Sequence, residues 1–394
     1  MIERVEIPGA EIYSSAERIG ELLAERLRGD PRFYFFSPDE TTSNRFGAVF
    51  GASKRAWGDL AVKNGDLPSG PEGRVVEMLS ENALFSVMTG HLMNGEQAMM
   101  GSYEAFYPII TSQILQHLKF IKQSKSVSWR KPLPAVNLLS TSTCWRQDHN
   151  GFTHQSPALM STLLTLPTNL CNCLFPVDDV AAEEAFKFML ETRNVVNLTT
   201  FNKTPVPRYI DSNHAKFQYE NGGASLYQFA SDEEPDFVFA AAGDIQTREA
   251  LEAMKILRND LPGLKLRFVG INALSYRAIG TTTNKLSREK FIELFTVDKP
   301  IIANFHGYPE TLRTILENYT LPGRIRVHGF NEEGSTTTPF EMLRMNAASR
   351  YDLAIDVAKV LGRKKLAEKY RDVLVENHNS AVKFGEDTLG LNFL

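Results

Sequence analysis

Residues 135–201 read AVNLLSTSTCWRQDHNGFTHQSPALMSTLLTLPTNLCNCLFPVDDVAAEEAFKFMLETRNVVNLTTF. AVNLLS, NLCNCLF and VVNLTTF are short apolar runs of the length and composition of buried strands. Between the last two, Asp178 or Asp179 caps an amphipathic helix running through Met189. A polar run, TSTCWRQDHNGFTHQSP, follows the first strand. Strand, loop and helix in alternation predict a parallel α/β sheet. The same grammar extends toward the N-terminus. Ser14 to Leu27 predicts a helix with Ile19, Leu22, Leu23 and Leu27 on one stripe, opened by a capping box of Ser14 and Glu17. PRFYFF is a strand that ends in the polar loop SPDETTSNRFG, and RVVEML (Arg74 to Leu79) is a strand followed at once by Ser80-Glu81-Asn82.

Toward the C-terminus, residues 204–224 bear Pro and Gly with little periodicity and read as a linker between a domain over 1–203 and a second over 225–394. In the second, alternation resumes with FVFAAAG, a helix near Arg248–Leu257, LKLRFVGI, PIIANFHG, a helix near Glu310–Tyr319, RIRVHGF and one long helix from about Pro339. Two domains suit 394 residues. The expected fold class is therefore α/β with two parallel-sheet domains.

Composition narrows the function. Net charge is −4, with 43% hydrophobic and 23% charged residues, both signs mixed, so nothing points to nucleic acid or a membrane surface. The first residues, MIERVEIPGAEIY, lack a secretory h-region, and no apolar run approaches the roughly 18 residues of a membrane span. The three cysteines, Cys144, Cys171 and Cys173, cannot build a disulfide framework, and Cys171 and Cys173 read as one face of a strand. A cytoplasmic location is the expectation.

In open α/β sheets, ligands lie outside the carboxyl ends of the strands, so the polar loops after the first strands point to one crevice. Glu81 follows a strand there; a buried carboxylate can share a proton with a ring nitrogen, while a first-turn helix acid is the plain structural reading. Tyr103 and Phe106, at i and i+3 of an expected helix, can stack on a flat heterocycle or pack in a core. The run from Trp145 to Gln155 carries more hydrogen-bonding groups than a connection needs. His149 and His154 are five apart, off a common helical face, with no further ligand near, so no metal site is expected.

SPDETTSNR, the strand ending in LSE, SYEAF, SWRKP, WRQDHNGFTHQ, the NK of TTFNKTP, DKPIIANFHGYP and HGFNEEGSTTTPF resemble, in order, stretches of the phosphoketolases. The resemblance runs from about residue 10 to the end, and WRQDHNGF with EEGSTTTPF is its most specific part. More distantly, Glu81 with its downstream aromatics resembles the transketolases. It implies a transketolase-type pyrimidine-binding domain followed by the C-terminal domain, thiamine diphosphate with Mg2+ as cofactors, and cleavage of xylulose 5-phosphate or fructose 6-phosphate with inorganic phosphate. The products would be acetyl phosphate and an aldose phosphate, by way of an acetyl group carried on the cofactor. By the same resemblance, Glu81 bonds N1′ of the aminopyrimidine, and Tyr103 and Phe106 pack on its ring. Gln147, His149, Asn150 and His154 surround the substrate, and Ser43, His149 and Lys203 hold its phosphate.

The family binds the diphosphate and magnesium through a GDG…N motif in a further domain, and no GDG occurs in these 394 residues. The resemblance then implies a carbon–carbon lyase active only with a separate diphosphate-binding subunit, most simply as α2β2. At Asn82, Val87 and Gly95-Glu96-Gln97 the chain departs from the family, which usually has His, Trp and an Arg-His-Gly-like loop. These departures favour a reshaped acceptor side. A two-subunit carboligase or acyltransferase passing a two-carbon acyl unit to another acceptor is therefore an alternative, and a non-catalytic scaffold subunit is another.

Overall fold

The computed structural model describes residues 8–38, 40–56, 69–147 and 149–389. The chain divides into two compact units: residues 1–143 with 168–215, and residues 144–167 with 216–394. This differs from the expected boundaries in two places. The segment 204–224 is structured, holding the strand Val206–Pro207 and the helix Ser212–Glu220. More consequentially, 144–167 packs into the second unit, because its apolar anchors face partners more than a hundred residues away, which local pattern cannot reveal.

In the first unit the described strands pair in the order Cys171–Leu174, Val196–Thr200, Val136–Thr141, Ala98–Tyr103, Tyr34–Ser37, Val75–Glu77, Arg55–Ala56, Ser69–Gly70. Every one of these pairings is parallel. Central strands are buried on both faces, as parallel sheets covered by helices require. Register is fixed by a buried amide ladder: Asn172 Nδ2 donates to Asn197 Oδ1 at 2.8 Å, and Asn197 Nδ2 donates to Asn137 Oδ1 at 2.8 Å. A one-residue slip would break the ladder and leave buried amides unpaired.

The first helix, Ser15–Gly29, is capped by Ser14, whose Oγ accepts the Glu17 N–H at 3.2 Å. The reciprocal half of the expected capping box does not form; the Glu17 carboxylate lies 3.7 Å from Arg45 instead. The helix Asp179–Glu191 takes Asp178 as its cap. Tyr103 is not on a helix: it ends the strand Ala98–Tyr103, and Phe106 lies in the 3-10 turn Glu104–Ile110, because Pro108 lacks the N–H that a regular helix would use.

The second unit holds a five-stranded sheet in the order Ala224–Leu226, Leu266–Ile271, Phe237–Ala242, Ile301–Phe305, Ile325–His328. Its edge strand Ala224–Leu226 runs antiparallel to Leu266–Ile271, and the other pairings are parallel. The expected long terminal helix is three: Pro339–Met345, Arg350–Val360 and Lys364–Phe384. Ala347 at φ 51° and Gly362 at φ 68° break the run, and Ser349 with Asp352 forms a complete capping box that restarts it. Among the described residues no helix is long and apolar enough to cross a membrane.

Candidate active site

Tyr34–Ser37 leads next to the strand Arg55–Ala56, which lies beyond Val75–Glu77 on one side of it, whereas Ala98–Tyr103, its neighbour on the other side, leads to Val136–Thr141. The loops therefore diverge between the carboxyl ends of Tyr34–Ser37 and Ala98–Tyr103, opening a crevice. Glu40 bridges it. Its Oε2 accepts the Tyr103 N–H at 3.1 Å, and its carbonyl accepts the Asn44 N–H at 2.9 Å and the Ser43 hydroxyl at 3.1 Å. Burial pushes the Glu40 carboxyl up from 4.5 to about 7, with the negative charge of Glu81 adding to the shift and the Tyr103 N–H opposing it. Nothing in the sequence singled out Glu40, which sits in a polar run that reads as solvated.

Ser43, Tyr103 and Lys203, placed far apart in sequence, meet at this crevice. The Tyr103 hydroxyl donates to Ser43 Oγ at 3.1 Å, and Lys203 Nζ lies 5.2 Å from the centroid of the Tyr103 ring. Lys203 is held from behind by the Ser14 hydroxyl, which donates to its carbonyl at 3.0 Å. Burial lowers the Lys203 ammonium, and the nearby Arg45 lowers it further, with Glu40 opposing. Among the described residues no carboxylate lies within 4.0 Å of its nitrogen. A half-buried lysine beside an arginine and two hydroxyls is built to receive an anion. Arg45 is the cation that sequence reading missed. It holds φ at 66°, a left-handed conformation costing roughly 1–2 kcal/mol for a residue with a Cβ, a strain of the kind found at functional sites.

Phe106 stacks on Tyr103 with ring centroids 5.9 Å apart and planes 9° apart. Both rings are half-buried, leaving aromatic surface for a flat heterocycle. Glu81 is the first residue of the helix Glu81–Met93, with Ser80 as cap, so the first-turn reading holds as a matter of position. Its carboxylate is half-buried and its charge is felt at Glu40 and at the buried Tyr107. The residues that depart from the family are engaged locally. Asn82 Nδ2 donates to Gln113 Oε1 at 3.2 Å and to the Ile109 carbonyl at 3.3 Å. Glu96 pairs with His91, and Gln97 Nε2 donates to the Leu190 carbonyl at 2.7 Å.

Gln147, His149, Asn150 and His154 fall in the second unit, all on the loop that follows the 3-10 turn Cys144–Arg146. His149 and Asn150 are exposed, and His154 is half-buried with Nδ1 2.9 Å from the Thr153 hydroxyl. Gln147 is fully buried, and among the described residues neither atom of its amide has a partner. Such a group carries a desolvation cost of about 1–3 kcal/mol and calls for a polar ligand or water.

A family model described as D-xylulose 5-phosphate/D-fructose 6-phosphate phosphoketolase matches residues 17–191, and one for the XFP C-terminal domain matches residues 203–392. A probable phosphoketolase of Thermosynechococcus vestitus is 36% identical over 394 residues, covering 96% of this chain and 48% of its own. One of Rhodopseudomonas palustris is 37% identical over 354 residues, covering 89% and 45%. The chain thus spans about half the length of the curated relatives it matches. Among solved structures, a transketolase mutant of Pichia stipitis superposes with a TM-score of 0.70 at 16% identity, over 92% of this chain and 48% of that one. A split-gene transketolase, an inactive β4 tetramer, gives 0.61 at 18% identity over 89% of this chain and 99% of its own. At these identities the structures speak for the transketolase-like α/β fold, and the sequence matches place the chain in the phosphoketolase family.

Proposed function

We propose that this chain is the pyrimidine-binding and C-terminal part of a thiamine-diphosphate-dependent, phosphoketolase-type lyase. It would cleave a ketose phosphate with inorganic phosphate to acetyl phosphate and an aldose phosphate, working with a separate diphosphate-binding subunit, most simply as α2β2. The observation that carries this reading is the anion cradle of Ser43, Arg45, Tyr103 and Lys203, in which a half-buried ammonium has no carboxylate partner among the described residues. A phosphorylated sugar supplies the dianion such a cradle fits. The idea of a separate subunit is supported by the likeness to the split-gene transketolase over nearly all of that chain.

The residues present fit the pyrimidine end of the cofactor. The half-buried Glu81 would hold the proton at N1′, and the stacked pair Tyr103 and Phe106 would pack on the ring. When bound, thiamine diphosphate supplies the electron sink that carbon–carbon cleavage needs. The diphosphate and Mg2+ are assigned to the partner. We assign His149, with Ser43 and Lys203, to the substrate phosphate, and Gln147, Asn150 and His154 to the sugar hydroxyls. The orphaned amide of Gln147 is the feature a hydroxyl would satisfy.

The test gives the chain, with a diphosphate-domain partner, cofactor and Mg2+, a ketose phosphate with and without inorganic phosphate, and follows acetyl phosphate and aldose separately. Lys203→Ala should weaken turnover of phosphorylated ketoses about ten- to a hundredfold, the worth of a charge-assisted bond, and spare unphosphorylated ones. Aldose release without acetyl phosphate would favour transfer to another acceptor. Equal loss on both substrate types would remove Lys203 from the phosphate site.

A further inference from the structure

The loop that carries Gln147, His149, Asn150 and His154 is closed at its base by one side chain. Gln155 is 3% exposed, and its Nε2 donates to the Gln147 carbonyl at 2.9 Å and to the Ser335 carbonyl at 3.1 Å. An amide nitrogen has two hydrogens, so both are used, one to close the loop and one to seat it. Flipping the amide would set Oε1 against two carbonyl oxygens, which fixes its orientation. Inside the loop the backbone turns on itself: Asn150 N–H to the Gln147 carbonyl at 3.2 Å, His154 N–H to that of Gly151 at 3.1 Å, and Gln155 N–H to that of Phe152 at 3.2 Å.

The seat is residues 334–336, the Gly-Ser-Thr of the EEGSTTTPF run. A Cβ on Gly334 would lie 1.9 Å from Gln155 Oε1, so glycine is required there for space rather than for backbone conformation. A second contact follows: Gly151, at φ 76°, approaches so closely that a Cβ would sit 2.9 Å from Thr336 Oγ1. Just before the loop, the fully buried Trp145 donates from Nε1 to the His306 carbonyl at 2.8 Å and meets Phe330 edge-on at 5.5 Å. Buried anchors therefore hold the loop on either side, while His149 and Asn150 stand exposed at its tip.

We infer that Gln155 is a positioning residue and residues 334–336 are its seat, so that the second unit sets where His149, Asn150 and His154 point. The clasp is a matter of geometry; its catalytic consequence rests on the function proposed above. It also gives a reason for the two most specific sequence runs, WRQDHNGFTHQ and EEGSTTTPF, to occur together: each is the other's packing partner.

The test uses the full chain and hydrogen–deuterium exchange. Gln155→Glu keeps the shape but removes both donors, and Gly334→Ala fills the space of Oε1. Each should speed exchange of amides in 147–155 by about tenfold or more, with the strand Phe237–Ala242 unchanged. Gly334→Ala combined with Gln155→Ala should exchange no faster than Gln155→Ala alone, because the methyl then meets nothing. Unchanged loop exchange, or a double variant showing the product of two independent effects, would overturn the clasp. In the active assembly, folded Gln155→Glu should lose ketose cleavage by roughly tenfold to a hundredfold, the cost of a misplaced group. Loop release with cleavage intact would overturn the positioning role. No cleavage by the wild type would count against the proposed function and leave the exchange result standing.

Discussion

Glu40 and Asp178 are carboxylates of the same unit, and burial pushes both up to about 7, from 4.5 and 3.8. Their surroundings differ. Asp178 is saturated by main-chain donors: Ala181 N–H at 2.9 Å on Oδ1, and Tyr209 at 2.8 Å and Ile210 at 3.3 Å on Oδ2. Its neighbour Asp179 is locked to Arg208 by two bonds of 2.7 and 2.6 Å. Asp178 thereby caps a helix and clips the stretch 209–210 to it. Glu40 takes one main-chain N–H, from Tyr103, and lies within electrostatic reach of Glu81 and of Lys203. A raised carboxyl alone is thus a poor mark of a reactive site. The informative difference is what stands beside it: backbone at Asp178, and titratable or aromatic side chains half-open to ligands at Glu40.

The contrast can be broken most forcefully at Glu81. In the assembly proposed above, Glu81→Gln should slow C2 deuterium exchange of thiamine diphosphate, read by NMR, by about 10²–10⁴-fold, the usual worth of a placed proton-transfer group. An unchanged rate would reduce Glu81 to a first-turn helix acid and make the two regions equivalent. At the other region, Asp178→Ala removes a cap and strands the half-buried N–H of Tyr209 and the buried N–H of Ile210. Urea unfolding should show a loss of about 2–4 kcal/mol, with the chemistry of the folded enzyme intact. A kinetic defect as large as that of Glu81→Gln would show that Asp178 is no mere clip.

The smallest effect separates the pair by pH. Both groups hold their proton more tightly in the folded chain than in the unfolded one. Their contribution to stability is therefore complete below their ordinary values and is lost as pH rises through about 7. Glu40→Gln keeps a carbonyl oxygen for the Tyr103 N–H but has no proton to lose. The melting temperature of this variant should fall less steeply than wild type between about pH 5 and 7. A parallel pair of profiles would mean that Glu40 gives up its proton in the folded chain at the same pH as in the unfolded one.

Much of the first sheet was legible because buried strands announce themselves by short apolar runs, as at AVNLLS and NLCNCLF, and because Asp178 has the chemistry of a cap. Ser43, Tyr103 and Lys203 were singled out only through the resemblance to a known family, and their side chains lie together in the structure. What escaped depends on partners distant in sequence. Glu40 reads as solvated until an N–H 63 positions away caps it. The stretch 145–155 looks like a connection of the first domain, yet Trp145 and Gln155 find their partners at 306 and 335. The terminal helix reads as continuous because the break at Ala347 is a backbone choice that no apolar period records.

The chain crosses from one unit to the other at 143–144, at 167–168 and again at 215–216. No single cut can separate them, and neither can be completed in chain order. On a ribosome adding roughly 5–20 residues per second, residues 144–167 would emerge roughly 10–40 s before Gly334 to Thr336 exist to receive them. During that interval Trp145 has no His306 carbonyl to bond and the loop has no seat. The first unit must therefore fold around an unfinished insertion, which makes the ordering of residues 144–167 a late event in biogenesis and its apolar anchors a natural point of contact for chaperones.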